Sequence, residues 1–454
     1  MFVKLAARAD PGPCSLCQEM WRSLVADPLT RGWAVVTGAG LARLGLGLVA
    51  SFLIARALGP AAYGIYAVLA ATVGILGAIA EGGLTEAAVL RMTAATQQHA
   101  RHMRARAFFW LRLGLAAVVI GLLCALAHPL AEYWLHVDAG LLRWALIGIV
   151  ATALSGATSG MLQALGAFGR MSWLTLFNTG LTAALAAALA LSGVLNLLTA
   201  LIVLGIGTSV ATFLLGVVLL PRGWTVRWPG TQALRAEARE LIRTGRWLWI
   251  ASMFAMLAVN LDVLILNRWA DLALVGAYAL AANLASKADL VNQSLYTVLL
   301  SRVALLRDGR AVRDYVRGGF LRSIGIAVGL VLLIPFAEPM VVFVYGEAFR
   351  PSAQLLRWLL GVVLFDVFTM PLLLLPLTYR RPWQMAAADA LRAATLGAVG
   401  ATLVPWYGAY GAIAARATAR AAGAVLVLSL VWRNARDPGQ RTAQRLAVEA
   451  ERPV

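Results

Sequence analysis

Residues 51–84 read SFLIARALGPAAYGIYAVLAATVGILGAIAEGGL, and the rest of the chain can be understood from this segment. An apolar run ends at Arg56, is interrupted at Leu58-Gly59-Pro60 and begins again at Tyr63. Glycine accepts a positive φ, and proline fixes φ and lacks a backbone donor, so Gly59-Pro60 indicates a tight turn. Because both flanking runs are long enough to cross a bilayer, the segment predicts a transmembrane hairpin with a very short outer loop.

The same pattern returns once, in LILNRWADLALVGAYALAAN from Leu264. The two copies align without a gap at an offset of 212 residues. The aligned pairs are Arg56 with Arg268, Gly64 with Gly276, Tyr66 with Tyr278, Ala67 with Ala279 and Ala70 with Ala282. The matched arginine, glycine and tyrosine predict two homologous halves, an arrangement that is common in transporters.

Composition places the chain in a membrane. Of its 454 residues 61% are hydrophobic and 13% are charged, and the mean hydropathy is +0.78. Soluble domains average about 45–50% apolar and about 25% charged residues. The net charge of +18 does not indicate nucleic-acid binding, because basic residues of membrane proteins collect in cytoplasmic loops and no base-stacking motif is present. The composition therefore predicts an all-α polytopic membrane protein.

The hydropathy pattern divides the chain into twelve apolar segments. Helices are expected throughout, because lipid cannot satisfy open backbone groups. The predicted spans are 33–58, 63–84, 107–127, 141–165, 173–191, 195–220, 247–266, 273–300, 320–337, 355–377, 383–403 and 408–430. The predicted organisation is a tail (1–32), a six-helix bundle (33–220), a linker (221–246), a second six-helix bundle (247–432) and a second tail (433–454).

The charge of the loops tests this topology. With the N-terminus inside, nearly all loop arginines fall on the cytoplasmic side, and Arg56, Arg143, Arg268, Arg350 and Arg357 fall on the other. This alternation follows the positive-inside rule and predicts that both termini are cytoplasmic. The linker contains ALRAEARELIRTGRW, which has an amphipathic pattern and is expected to lie along the membrane surface.

Charged residues within the predicted spans are the candidate functional residues, because such charges are costly and usually face an aqueous cavity or each other. Arg43, Lys287 and Arg392 are the candidate cations of a cavity that binds an anionic substrate. Glu81, Asp262, Asp366 and Asp389 are the candidates for coupling to an ion. These four acids and three cations are all read from the sequence.

Each of these charges also has a structural interpretation. Asp389 and Arg392 are three residues apart on a helix and could pair with each other. Arg416 and Arg420 lie near the inner end of the last span, where snorkelling to the interface is the favoured interpretation. Arg43 could instead pair with an acidic residue of a neighbouring helix.

Neither a metal site nor an enzyme is indicated. Cys14 and Cys17 form a lone CxxC, and Cys124 lies in an apolar run. A zinc site would need a second pair of ligands at similar spacing, so no metal or other cofactor is expected. No HExxH, P-loop or GxSxG element occurs in a usable context, and the predicted outer loops are short.

Four stretches resemble the polysaccharide flippases of the multidrug/oligosaccharidyl-lipid/polysaccharide (MOP) superfamily. They are ARALGPAAYGIYAV, NLDVLILNRWADLALVGAYALAANL, VVFVYGEAFRPSAQLLRWL and WYGAYGAIAARATAR, and together they extend over nearly the whole membrane region. The resemblance implies two pseudo-symmetric six-helix bundles arranged in a V around a central cavity. The related lipid II flippases usually have fourteen helices, so twelve favour the polysaccharide branch.

The resemblance also implies a task, which is that of Wzx-type O-antigen and exopolysaccharide flippases. These proteins move undecaprenyl-pyrophosphate-linked oligosaccharides across the bacterial cytoplasmic membrane, and polysaccharide polymerases and glycosyltransferases are their expected partners. Unpaired charges of such a headgroup could not cross hydrocarbon unaided. Arg43 and Lys287 are expected to neutralise the pyrophosphate while one half rocks against the other.

Two questions stay open at the level of sequence. Transport could be driven by a H⁺ or Na⁺ gradient through Asp262 or Asp366, or by consumption of the product outside. The function could instead be that of a drug/cation antiporter of the same superfamily, against which the excess of intramembrane cations argues. A membrane glycosyltransferase or polymerase is a further alternative, which the short outer loops disfavour.

Overall fold

The computed structural model describes residues 28–95, 97–221, 224, 227–303, 309–373, 375 and 383–436. Within these residues the chain is almost entirely helical and contains no β-strand. Most of both predicted tails, including the CxxC of Cys14 and Cys17, lies outside the described residues. The fold class predicted from composition, an all-α membrane protein, is confirmed.

Twelve helices are labelled here in chain order. They are α1 (Pro28–Glu81), α2 (Leu84–Thr93), α3 (Gln98–Ala125), α4 (Ala139–Ala164), α5 (Phe168–Leu191), α6 (Leu197–Leu219), α7 (Thr231–Trp269), α8 (Leu272–Val303), α9 (Gly309–Leu333), α10 (Ala337–Tyr345), α11 (Arg350–Leu373) and α12 (Trp383–Arg436). Short helical segments also connect α3 to α4 (Ala127–Pro129 and Leu130–Leu135) and α10 to α11 (Glu347–Phe349).

Of these helices, nine in the described part of the chain are long and apolar enough to cross a membrane. Two of the nine, with apolar lengths of 42 and 48 residues, are too long for one span and turn at a glycine. Gly59 in α1 has φ 72° and Gly408 in α12 has φ 54°, values that side chains with a Cβ rarely adopt. Each of these helices is therefore two spans. With the shorter apolar helix Leu272–Ala288 of α8, twelve spans result, as predicted.

The two ends of the molecule differ. The turns at Gly59 and Gly408, the segment Leu130–Leu135 and helix α10 lie at one end, which we call the hairpin end. Helix α2 and the first turns of α7 lie at the opposite end, which carries most of the loop arginines and which we call the basic end. The predicted turn at Leu58-Gly59-Pro60 is confirmed by the kink of α1.

The closest approach between the halves is made by the two repeat glycines. A Cβ on Gly64 would collide with the carbonyl oxygen of Leu272, and a Cβ on Gly276 would collide with that of Pro60. Pro60 and Leu272 differ by the same 212 residues as Gly64 and Gly276. Equivalent residues thus contact each other reciprocally, as they do across a two-fold axis. Small residues allow such backbone contact between membrane helices, where lipid provides no hydrophobic driving force.

A second contact between the halves runs along α7 towards the basic end. Asn260 lies against Gly74 of α1, and Gly245 lies against Gly83, so the residues from 60 to 81 of α1 and their continuation follow α7. Helix α7 is continuous from Thr231 to Trp269. The amphipathic part of the linker, expected as a separate surface segment, instead extends the seventh span by four turns.

This extension is held by an ion-pair cluster between the halves. The Arg91 side chain of α2 contacts Glu237 Oε1 at 2.8 Å and Glu240 Oε2 at 3.0 Å. Arg243 contacts the same Glu240 carboxylate at 2.8 Å. The polar face that favoured a position on the membrane surface is therefore used for contacts with the first half.

Candidate functional site

Arg43 and Lys287, the two predicted cavity cations, meet at the boundary between the halves. Arg43 is an exposed residue of α1, and Lys287 is a half-buried residue of α8. The Arg43 guanidinium lies close enough to the Lys287 ammonium for their like charges to interact. The fold thus brings together two cations that are separated by more than half of the chain.

Both cations lie well away from the hairpin end. Arg43 precedes the Gly59 turn by sixteen residues and Lys287 follows the start of α8 by fifteen, so each is about 22–24 Å along its helix at ~1.5 Å per residue. Arg43 was expected near the bilayer centre, because the predicted first span began at Trp33. The helix instead begins at Pro28 and ends at the Gly59 turn, which places Arg43 nearer the basic end.

Asp262, a predicted ion-coupling residue, is enclosed within the second half. Its side chain is fully buried, and its Oδ2 atom accepts a hydrogen bond of 2.5 Å from the Tyr278 hydroxyl. Arg416 Nε lies 3.1 Å from the same oxygen, and Arg416 Nη2 donates to the Val259 carbonyl at 3.0 Å. One carboxylate therefore joins α7, α8 and α12.

Asp366, the other carboxylate considered for ion coupling, is paired in the same way. Its buried side chain on α11 forms an ion pair with Arg420 of α12. Arg416 and Arg420 are four residues apart and lie on the same side of α12. The interpretation of both arginines as snorkelling is therefore wrong, because each turns towards a buried carboxylate of another helix.

Asp389 and Arg392 form the local pair that their spacing predicts. Arg392 Nη1 contacts Asp389 Oδ1 at 3.0 Å within α12. The Arg392 side chain also lies against Gly423, in the part of α12 that returns after the Gly408 turn; a Cβ there would approach its Cδ to 3.0 Å. Arg392 is thus held between its acidic partner and a glycine, whereas it was expected among the cavity cations.

Glu81 has a partner that the sequence interpretation assigned to a cytoplasmic loop. Arg112 Nη1 of α3 contacts Glu81 Oε1 at 2.9 Å. The Thr85 hydroxyl donates to the same oxygen at 2.6 Å and also contacts Arg112. Arg112 is only 8% exposed and lies against Gly156 of α4. This pair packs α1, α3 and α4 of the first half together.

The hairpin end has a further set of contacts between the halves, and these are arranged reciprocally. Arg56 of the first half donates to the Val344 carbonyl of α10 at 3.5 Å. Asn267 of the second half donates to the Leu135 carbonyl at 2.6 Å, and Arg268, the repeat equivalent of Arg56, contacts His136 at 2.8 Å. Each half thus uses the end of its first span to hold the outer connection of the other.

Sequence reasoning missed Arg112, Arg416 and Tyr278 as partners of the predicted acids. Tyr278 had a signal, since it is one of the residues that recur in the repeat. Arg112 had none, because no residue at helical spacing from it is acidic. The metal prediction is also addressed in part: the described residues contain no group of three His, Cys, Asp or Glu side chains that could hold a metal ion.

The solved structures with a similar fold are transporters and a flippase. An inward-facing multidrug resistance MATE family transporter of the MOP superfamily has a TM-score of 0.71 at 13% identity, covering 88% of this chain and 95% of that chain. The lipid II flippase MurJ in an inward closed conformation has a TM-score of 0.66 at 13% identity, covering 88% and 87%. An outward-facing MATE family transporter has a TM-score of 0.63 at 15% identity, covering 90% and 96%.

At these identities the similarity establishes the fold, which is the two-bundle fold of MATE transporters and MurJ. No curated protein sequence is significantly similar to this chain. The sequence profile described as polysaccharide biosynthesis protein matches residues 29–304, which is more than half of the chain. The matched region contains the first half, the linker and the seventh and eighth spans. The chain belongs to the polysaccharide biosynthesis protein family.

Proposed function

We propose that this protein is a flippase that moves an undecaprenyl-pyrophosphate-linked oligosaccharide, such as an O-antigen or exopolysaccharide unit, across the cytoplasmic membrane. The observation that carries the proposal is the approach of Arg43 and Lys287 between the halves. Two facing cations repel each other, and each costs about 2.5–3.5 kcal/mol within a span on insertion scales. A doubly charged pyrophosphate between them would offset both costs.

The chemistry of the two side chains suits this ligand. A guanidinium offers planar donors that can bind a phosphate with two hydrogen bonds, and an ammonium adds a mobile point charge. The family match supports a role in polysaccharide biosynthesis. Polymerases and glycosyltransferases that extend or supply the glycan are the partners we propose.

The orientation belongs to the same proposal. The basic end carries the loop arginines and would face the cytoplasm by the positive-inside rule. The hairpin end would then face outwards. With the hairpin ends of the halves in contact through Gly64 and Gly276, a headgroup would reach Arg43 and Lys287 from the cytoplasmic side.

Ion coupling is a separate part of the proposal. Asp262 and Asp366 each have an arginine partner in this structure, so a cation could bind at either carboxylate only after that arginine had moved. We infer that H⁺ or Na⁺ coupling through these residues requires a conformation in which α12 has shifted. Flipping that is independent of both gradients would contradict this coupling and favour drive by consumption of the product.

The function can be tested with the purified full-length chain in liposomes that contain a lipid-linked oligosaccharide. A membrane-impermeant oxidant then reports which sugars are on the outer surface. We expect exposure to be faster than in protein-free liposomes, and to slow at least tenfold when both Arg43 and Lys287 are replaced by alanine. Unchanged exposure, together with uptake of an organic cation by the same liposomes, would favour the antiporter alternative.

A further inference from the structure

An apolar pocket opens between the halves near the hairpin end. It has a volume of about 530 Å³. Its walls come from both halves, with Ile75 and Leu76 of α1 on one side and Leu261, Leu264 and Ile265 of α7 on the other. Ala401 of α12 also lines it. Because these residues belong to membrane spans, the material that reaches the pocket is the hydrocarbon of the bilayer.

The mouth of the pocket has the features of a lipid–water interface. Tyr133 and Trp134, both 73% exposed, and Trp269, 60% exposed, form its rim. Tyrosine and tryptophan rings prefer the level of the lipid headgroups. Arg268 lies at the same rim and is exposed, so a cation stands where a headgroup phosphate would lie.

The charges around Arg268 leave it available for an anion. Its contact with a titratable side chain is with the His136 ring, whose Nε2 lies 2.8 Å from Nη1. The nearby acids are engaged elsewhere, since Asp138 and Asp271 accept from the backbone amides of Leu141 and Leu274. Among the described residues no carboxylate forms an ion pair with Arg268, whereas two other arginines of the hairpin end, Arg350 and Arg357, each have one.

We propose that this pocket binds one acyl chain of an anionic phospholipid, with the headgroup phosphate held by Arg268. The site differs from the Arg43–Lys287 pair in position, because Arg268 lies in the last turn of α7. It also differs in character, because a single cation stands above an apolar cavity. Since both halves form the walls, the bound chain stabilises the arrangement in which their hairpin ends are in contact.

Photo-crosslinking tests the proposal on the full-length chain in nanodiscs made of synthetic phosphatidylcholine. Trace phosphatidylglycerol with a diazirine near the end of one acyl chain serves as the probe, and labelled peptides are mapped by mass spectrometry. We expect labelling within 261–269 and 72–76. The Arg268→Gln variant should lower it at least fivefold, and Ala401→Trp should lower it similarly by filling the pocket while the cation stays in place.

Arg56→Gln is the matched control, because Arg56 is the repeat equivalent of Arg268 and contacts the Val344 carbonyl. Its labelling should equal that of the unmodified chain. Arg268→Lys should restore most of the labelling, which separates loss of charge from misfolding. Equal labelling by a phosphatidylcholine probe, labelling that persists in both pocket variants, or labelling that requires added polyprenyl phosphate would each overturn the proposal.

Discussion

At the scale of single residues, the charges within the spans fall into two groups. Asp262, Asp366, Asp389 and Glu81 each contact an arginine, so each of these acids is neutralised within the protein. Arg43 and Lys287 instead face each other. A residue whose charge is repelled by its neighbour is poised to bind an anion, whereas a residue in an ion pair is not.

Arg43 should therefore be needed for function and not for folding. We expect Arg43→Ala to be produced at normal levels and to lose glycan export when it replaces the unmodified chain in a flippase-deficient strain. Arg43→Lys should rescue export only in part, because an ammonium provides charge without paired planar donors. Export and protein level are measured in parallel.

Arg56→Ala serves as the control, since it removes a cation of the same helix at the hairpin end. Full export by Arg43→Ala would contradict the assigned role. Loss of the Arg43→Ala protein itself would indicate a structural ion pair instead.

What the sequence could reveal about the site depended on how far apart the partners lie. The Asp389–Arg392 pair was accessible because both residues are on one helix at a spacing of three. Glu81 and Arg112 are on different helices, and no spacing rule relates them. Arg112 was also assigned to a loop, because a single basic residue shifts an apparent boundary more than it shifts the helix.

At the scale of elements, α12 is the helix that holds the second half together. After the Gly408 turn it carries Arg416 and Arg420 past buried carboxylates of α7 and α11. Tyr278 adds α8 to this network through Asp262. Because α8 also carries Gly276 and Lys287, the buried network positions the helix that forms both the contact and the cation between the halves.

Breaking the network on one side should be costly. Arg416→Gln leaves the buried Asp262 carboxylate without its cation, for which the expected cost is about 3–5 kcal/mol. We therefore expect a clear fall in the thermal unfolding temperature of the purified protein in detergent. Adding Asp262→Asn removes the stranded charge and should recover most of the loss. A double variant less stable than either single variant would show that the pair is not coupled in this way.

At the scale of the whole molecule, the halves touch through glycines that the repeat identifies. Gly64→Ala places a methyl group against the Leu272 carbonyl, and overpacking of this kind costs about 1–3 kcal/mol. We expect lower thermal stability and reduced transport. Gly77→Ala is the matched control on the same helix, because a Cβ there meets nothing within 4 Å.

Alanine favours a helix over glycine by about 1 kcal/mol, so the control should be unchanged or slightly stabilised. If Gly64→Ala behaves like Gly77→Ala, the close contact between the halves is not part of the folded protein. Measuring Gly276→Ala beside it tests the symmetry, since the same change at the equivalent position should have a similar effect.

Much of the fold was accessible from the sequence. Hydropathy located the twelve spans, and glycine and proline located the Gly59 turn, because both signals are local. The offset of 212 residues located the two halves. The continuous helix from Thr231 to Trp269 was not foreseen, since its first four turns are polar and their partner Arg91 is distant in the chain.

The reciprocal contact of Gly64 with Leu272 and of Gly276 with Pro60 has an evolutionary consequence. It is the interface that two copies of one ancestral six-helix chain would make as a symmetric homodimer. Fusion of the two copies freed each from having to match the other. The second copy then acquired the buried acids and arginines of α7, α11 and α12, while the glycines on the axis stayed as a record of the shared origin.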